Sequence, residues 1–293
     1  MKILVFSSLN VDYDYHMDHI ARPKETIVAD SFVLAAGGKG LNSSITIAKT
    51  GEHVYLAGVL GTGAELLEKT LLENNVDISL LDRQNVPNGH AIIQIDKNGE
   101  NSIFIYGGSN ACITKEYVDK VIAQFDEDDL IVMQNEINNQ DYIMQKAHEK
   151  GMKLLLNPSP CNDSLKEQPL ELVDYFFINE VEGEILSGCP EPEDILENMK
   201  LKYPRANIVL TLGSTGAYYY DGTNKVFCPA RKVKAVDTVG AGDTFMGYFT
   251  YALSKGMTPA ECMEIATKAS SITVQRYGAA AAVPTLDEVN ALD

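Results

Sequence analysis

The stretch Asp237-Thr238-Val239-Gly240-Ala241-Gly242-Asp243-Thr244 runs without a break into the apolar Phe245-Met246-Gly247-Tyr248-Phe249. Two glycines flanking an alanine permit tight turning and close approach of a ligand to main-chain N–H groups. The apolar run, ending near Lys255-Gly256, predicts a buried helix whose first turn is the glycine-rich segment itself. Such an N-terminus carries unpaired N–H donors and a partial positive charge, which together favour an anion. Asp243 is then the odd residue, because a carboxylate repels an anion seated there. Either it caps the helix, or it is a base facing a hydroxyl beside that anion, the arrangement needed for phosphoryl transfer to an alcohol.

Working outward, strands alternate with helices along most of the chain. Ile3 to Ser8 reads as a buried first strand, Lys39 to Lys49 as a helix stopped by Gly51, Val54 to Val59 as a strand and Ala64 to Asn74 as a helix. Further strands are expected at Asp129 to Met133, Lys153 to Asn157, Tyr175 to Ile178 and Asn207 to Leu212, with a helix over Asn139 to Lys150. Thr258-Pro259-Ala260-Glu261 opens another helix with a capping box. Two β-rich patches interrupt the alternation. One covers residues 13–35, with strand-like character from Glu25 to Leu34. The other is a hairpin, His90 to Asp96 and Asn101 to Tyr106 around Lys97-Asn98-Gly99. The fold class is therefore α/β, with a mostly parallel sheet covered on both faces and a small β lid built from two insertions. Ligands of such sheets bind beyond the carboxyl ends of the strands. Asn10 and Asp12, Glu136, Asn157, Asn179 and Glu182, and Thr211 to Gly216 all fall at such ends.

Composition narrows the classes. With 293 residues, 45% hydrophobic and 22% charged, the chain is that of a soluble globular protein able to bury a sizeable core. A formal net charge of −17 argues against a nucleic-acid surface and against anionic membranes. Five scattered cysteines (112, 161, 189, 228 and 262) form no Cys-x-x-Cys pair, which fits a reducing cytoplasm. His16 and His19 lack a third ligand and read as surface histidines. The N-terminus is too short for a signal segment, and no run of about 18 apolar residues predicts a membrane helix.

Other motifs leave alternatives open. Ala36-Gly37-Gly38-Lys39-Gly40-Leu41-Asn42 matches neither the Walker A nor the dinucleotide fingerprint. It is either a ligand-touching loop with Lys39 and Asn42 as hydrogen-bonding groups or a flexible strand–helix turn. Asn179 and Glu182 share a face on a first helical turn, where they form a simple capping box or hold a phosphate and a metal-bound water. Thr211-Leu212-Gly213-Ser214-Thr215-Gly216 is a phosphate cradle or a hairpin turn.

Several of these marks occur together in one order. They are Asn10-x-Asp12, Gly37-Gly38-Lys39-Gly40-x-Asn42, Gly108-Ser109-Asn110, Met133-Gln134-Asn135-Glu136, Asn157-Pro158, Asn179-x-x-Glu182, Thr211-x-Gly213-x-x-Gly216 and the octapeptide 237–244. In that order the chain resembles the ribokinase family of carbohydrate kinases (the PfkB group) across nearly its whole length. The resemblance implies a three-layer α/β/α fold forming a single domain over 1–293, with the lid made by about 13–34 and 90–106. It implies ATP-dependent phosphorylation of a sugar, D-ribose foremost, with Asp243 as base and the N–H groups of Gly240, Ala241 and Gly242 as anion hole. Asn10, Asp12, Gly38, Lys39, Asn42 and Glu136 are the implied sugar ligands. Asn179, Thr211, Gly213, Ser214, Gly216 and Gly242 are implied against ATP, with Glu182 positioning Mg2+ through water. The lid would close over the sugar and pair across a homodimer.

Two departures from the family pattern stand out. Gly61-Thr62-Gly63-Ala64-Glu65-Leu66 replaces a Gly-Asp-Asp-x-x-Gly stretch, which touches the sugar preference. The family's activating K+ would be held by Asp237 and the carbonyls of Val239, Thr273, Arg276 and Gly278. Ala282 stands where its last side-chain ligand is usually Ser, so a weakened site is expected. Rival readings are a deoxyribose, fructose or other ketose kinase, a nucleoside kinase, and a catalytically silent sugar- or nucleotide-binding regulator. A Rossmann oxidoreductase is disfavoured by the missing glycine fingerprint.

Overall fold

β1 (Ile3–Phe6) is apolar and buried at every position, as a strand covered on both faces must be. In the computed structural model, which describes residues 1–292, it begins an alternation that continues through the chain. After it come β2 (Asn10–His16), β3 (Ser31–Gly37), α1 (Lys39–Lys49), β4 (Val54–Ala57), β5 (Val59–Thr62) and α2 (Glu65–Glu73). β6 (Asp82–Pro87), β7 (His90–Ile95), β8 (Asn101–Tyr106), α3 (Lys115–Ile122), β9 (Leu130–Gln134) and α4 (Gln140–Lys150) follow. Next are β10 (Lys153–Asn157), β11 (Tyr175–Asn179), α5 (Glu180–Ser187), α6 (Pro192–Lys202), β12 (Asn207–Thr211), β13 (Gly216–Tyr220) and β14 (Lys225–Pro229). α7 (Ala241–Ser254), α8 (Pro259–Thr273) and α9 (Leu286–Asn290) close the chain.

Eight strands form the main sheet in the order β14-β13-β12-β11-β10-β9-β1-β4. It is parallel from β4 to β12 and antiparallel only at the β13–β14 edge. Alternate residues of each strand feed opposite cores. Ile3 and Val5 join α1, α2, α7, α8 and α9 on one face. Leu4 and Phe6 join α3, α4 and α6 on the other, which makes three layers. A second sheet, β3-β2-β7-β8, stands apart from the first, and β5 and β6 form a small parallel pair.

Two strand expectations change. Of the stretch Glu25 to Leu34, only the part from Ser31 onward is strand, and β3 then extends to Gly37, opposite Asn10. Pro23 has no N–H for a ladder, and the chain turns there with the Glu25 N–H donating to the Arg22 carbonyl. The expected strand Val54 to Val59 breaks at Gly58, whose N–H donates to the Tyr117 hydroxyl rather than to a neighbouring strand. The second patch forms its hairpin, with Ile95 opposite Asn101.

The close approach of α7 to α1 depends on Gly247. A Cβ there would lie 2.4 Å from Thr46 Cγ2, and the Thr46 hydroxyl is itself tied to the Asn42 carbonyl at 2.8 Å. Gly247→Val forces the two helices apart and should lower stability by about 1–3 kcal/mol. The expected result is a lower urea midpoint with an unchanged slope.

Candidate active site

The order of the main sheet reverses at β1: β4 lies on one side and the chain later returns to add β9 on the other. A crevice opens past the carboxyl ends of strands at such a point. Ser7 and Ser8 follow β1 there, and Glu136 follows β9. α1 and α7 both begin at this crevice. Gly38 sets the start of α1: its φ of 92° suits glycine alone, and a Cβ would fall 2.7 Å from the Asn10 backbone nitrogen. Gly240 does the same for α7, with φ 75°.

The charged groups named from the sequence interact here with one ammonium. Lys39 feels the charges of Asp243, Glu136 and Glu182. Burial pulls its pKa down, but the three carboxylates outweigh that and hold it above the ordinary lysine range. Each carboxylate shows the converse. Burial raises Asp243, while Lys39 and a 3.2 Å bond from Asn42 Nδ2 to its Oδ2 oppose the rise. Asp243 is half-buried. Glu136 is likewise raised by burial and moderated by Lys39 and by the Ser8 hydroxyl, which donates to it. Glu182 is raised by burial and moderated by the Asn179 N–H and Lys39. Asp12, in β2, is pushed up to about 7 by burial first and by Asp14 and Glu136 after it. Its carboxylate lies over Gly37, where a Cβ would meet Asp12 Oδ2 at 1.9 Å.

The α7 N-terminus joins this cluster to a cavity of about 300 Å³. Thr211, Gly213, Ser214, Gly216 and Gly242 line it as the sequence suggested, and Ala241 and Thr238 also reach it. Nothing stands within 4 Å of where a Cβ on Gly213 or Gly242 would be, so the backbone is open to a ligand at both. Among the described residues, the N–H groups of Gly240, Gly242 and Asp243 have no backbone acceptor, whereas that of Ala241 is bonded to the Thr238 carbonyl at 3.3 Å. Asn179 and Glu182 do not line the cavity. They form a capping box on α5, the Glu182 N–H donating to Asn179 Oδ1 and the Asn179 N–H to Glu182 Oε2. Thr211 to Gly216 is both the β12–β13 hairpin connection and part of the cavity wall.

Asp237 lies in the loop before α7. Its two oxygens accept from the Val239 and Gly278 N–H groups, each at 3.0 Å, which ties this loop to the segment after α8. The Thr273 carbonyl already accepts from the Arg276 N–H at 3.0 Å. Ala282 is buried and offers no side-chain oxygen.

Sequence reasoning missed Ser8, the partner of Glu136, and most of the cavity wall. Ala230, Val233 and Phe245 contribute to it, as do Thr267, Ser270, Ser271 and Val274 of α8 and its C-terminal cap. The last four share one helical face by spacing, a legible pattern, but only packing shows that the face lines a cavity.

The model of the pfkB family of carbohydrate kinases matches residues 1–286. A ribokinase of Staphylococcus aureus is 32% identical over 304 residues, covering 99% of this chain and 98% of that protein. A deoxyribokinase of Salmonella typhi is 28% identical, covering 99% and 98%. Among solved structures, the ribokinase of Cryptococcus neoformans in complex with ADP superposes with a TM-score of 0.87 at 28% identity, covering 99% and 98%. Arabidopsis thaliana ribokinase complexed with ribose and ATP gives 0.86 at 26% identity, covering 99% and 97%.

The Asp12 carboxyl supplies a stability test. It keeps its proton up to about pH 7 in the folded chain, whereas an unfolded aspartate releases it near 3.9. The folded state thus binds more protons across that window, so stability falls as pH rises through it. Asp12→Asn should melt several degrees higher than the parent near pH 8, the gap shrinking towards pH 5 in thermal scans.

Proposed function

The chain belongs to the pfkB family of carbohydrate kinases, and we propose that it is a ribokinase, transferring the γ-phosphoryl group of ATP to the 5-hydroxymethyl oxygen of D-ribose. The observation that carries this reading is the place of Asp243, at the turn where the carboxylate–lysine cluster meets the open cavity. Phosphoryl transfer to an alcohol needs a base on one side of the anion site and a nucleotide on the other. The similar structures that hold ADP, or ribose and ATP, support the same division of space here.

Asn42 Nδ2 occupies one oxygen of Asp243. The other is left for the acceptor hydroxyl, whose proton passes to it as the oxygen attacks phosphorus. Burial and Lys39 act against each other on this base, burial raising its pKa and making it more basic than an ordinary aspartate, Lys39 limiting the rise. The N–H groups of Gly240 and Gly242 stabilise the transferred phosphoryl group, and Ala241 joins them by giving up its long bond to Thr238. Asn10, Asp12, Gly38, Lys39, Asn42 and Glu136 hold the sugar, a set of polar contacts that rejects analogues lacking the matching hydroxyls. The cavity suits a nucleoside: Ala230, Val233 and Phe245 accept a flat ring, and the bare backbone at Gly213 and Gly242 accepts phosphates. Asn179 and Glu182, at the carboxyl end of β11 and the start of α5, would serve the nucleotide and, through water, its metal.

Among the described residues no group of three or more His, Cys, Asp or Glu side chains is placed to hold a metal. Mg2+ would be held through the phosphates of ATP and through water by Glu182, and would supply charge neutralisation on the transferred group. For K+, Asp237 and Val239 in the loop before α7 contact the segment that runs from Thr273 at the end of α8 to Gly278, but Asp237 is already bonded twice and Ala282 adds no ligand. The fit is a weak one. On the second sheet Phe32, Val33 and Leu34 in β3, and Ile103, Phe104 and Ile105 in β8, are about half exposed. Apolar area of that extent supports a lid that pairs with a second copy of the chain. Five free cysteines are in keeping with a cytoplasmic enzyme.

Coupled ADP release with magnesium-ATP over ribose, deoxyribose, fructose, adenosine and pseudouridine tests the substrate. Ribose should give the highest kcat/KM, with potassium activating weakly and Ala282→Ser strengthening that response. A preference for deoxyribose, which the Salmonella typhi relative makes the first rival, would overturn the sugar but not the chemistry. Asp243→Asn should retain sugar binding and lose about 10²–10⁴-fold in kcat; near-parental turnover would show that the base lies elsewhere. The acid limb of kcat should lie above the ordinary aspartate range, and Lys39→Met, by removing the group that lowers Asp243, should move it to higher pH.

A further inference from the structure

Three buried asparagines meet where the chain passes between the two sheets: Asn10, Asn88 and Asn110, 3%, 5% and 1% exposed. Leu9, between β1 and β2, is held at both its polar backbone groups. Its N–H donates to Asn110 Oδ1 at 3.0 Å, and its carbonyl accepts from Asn88 Nδ2 at 3.1 Å. A backbone N–H can only donate, so the Leu9 bond identifies which end of the Asn110 amide is oxygen. The other end, Nδ2, donates to Asn10 Oδ1 at 2.8 Å. That bond in turn orients Asn10: its oxygen is used inside the protein, and its Nδ2 has no partner among the described residues. Gly89 closes the arrangement, since a Cβ there would meet Asn110 Nδ2 at 2.1 Å and Asn10 Oδ1 at 2.7 Å. Asn88 completes it by accepting from the Gly61 N–H at 2.9 Å and the Ser109 hydroxyl at 3.2 Å.

We propose that Asn110 is a positioning residue, which locks the Asn10 amide so that it offers N–H donors, and not its carbonyl, to the sugar. The inference rests on the sugar-kinase reading above. Asn10 and Asp12 stand two residues apart on one face of β2, so the strand presents a donor beside a carboxylate acceptor. A hydroxyl satisfies both, accepting from one and donating to the other. A hydrogen or a methyl group satisfies neither, and leaves buried polar groups unpaired. The Gly108-Ser109-Asn110 segment thus acts on specificity without touching the sugar.

The test is a double-mutant cycle on the full-length chain, with magnesium-ATP and the sugar that the parent turns over fastest. N110D keeps an acceptor for the Leu9 N–H but replaces the donor facing Asn10 by a second oxygen, which favours the flipped amide. KM for the sugar should rise about tenfold or more with kcat within about threefold. In the N10A background, N110D should change KM by no more than about twofold, because the effect passes through Asn10. The neutral N110A, run in the same cycle with its melting temperature measured, removes the donor without adding charge and should show the same dependence on Asn10. A parental KM in N110D, or equal losses with and without Asn10, would overturn the proposal while leaving the kinase reading in place. A parent that turns over no sugar would overturn the reading on which it rests.

Discussion

One ammonium group, that of Lys39, feels the charges of Asp243, Glu136 and Glu182 in a crevice where burial disfavours each charge. Its position is a balance between two large opposing effects. Desolvation alone would drive the lysine towards neutrality and the carboxylates towards protonation, and mutual attraction reverses the first and limits the second. The sign of the outcome differs across the cluster. Lys39 is held more firmly charged, while every carboxylate beside it remains easier to protonate than in water. Opposed shifts of this kind in a crevice are the environment in which acid–base groups are found.

The fold exists around this cluster in a definite sense. Asp243 lies in the first turn of α7, Lys39 opens α1, Glu136 follows β9 and Glu182 lies in the first turn of α5. Parallel strands with helices between them place all of these starting points at one edge of the main sheet. The contact of α7 with α1, close enough that residue 247 has no room for a side chain, sets the distance between Asn42 and Asp243. Stability is given up locally for this. Asp12 is half-buried near Asp14 and Glu136, and its raised pKa records the cost of placing a carboxylate there.

Much of the architecture was legible because hydrophobic periodicity and caps are local signals. The strand–helix order, the Thr258–Glu261 capping box and the hairpin around Asn98-Gly99 follow from residue patterns a few positions long. One failure came where a distant group decided the outcome: Gly58 leaves its strand for the hydroxyl of Tyr117. The other was local, the turn at Pro23 before a stretch that joins the sheet only from Ser31.

For the candidate site, the sequence by itself supplied the candidate residues, because several short motifs occur in one order that resembles the family, although each motif alone also fits a cap or a turn. It also determined the family. The tertiary structure alone decided which of those residues meet. It placed Glu182 with Lys39 rather than in the cavity wall, committed the Ala241 N–H to Thr238, and made Ser8 and Asn110 partners of Glu136 and Asn10. Ser8 and Glu136 are 128 residues apart, and Asn10 and Asn110 are 100. No pattern of neighbours encodes such pairs. They exist because packing brings the ends of β1 and β9, the start of β2 and the segment after β8 to one point, and a buried polar group takes whatever partner that point supplies.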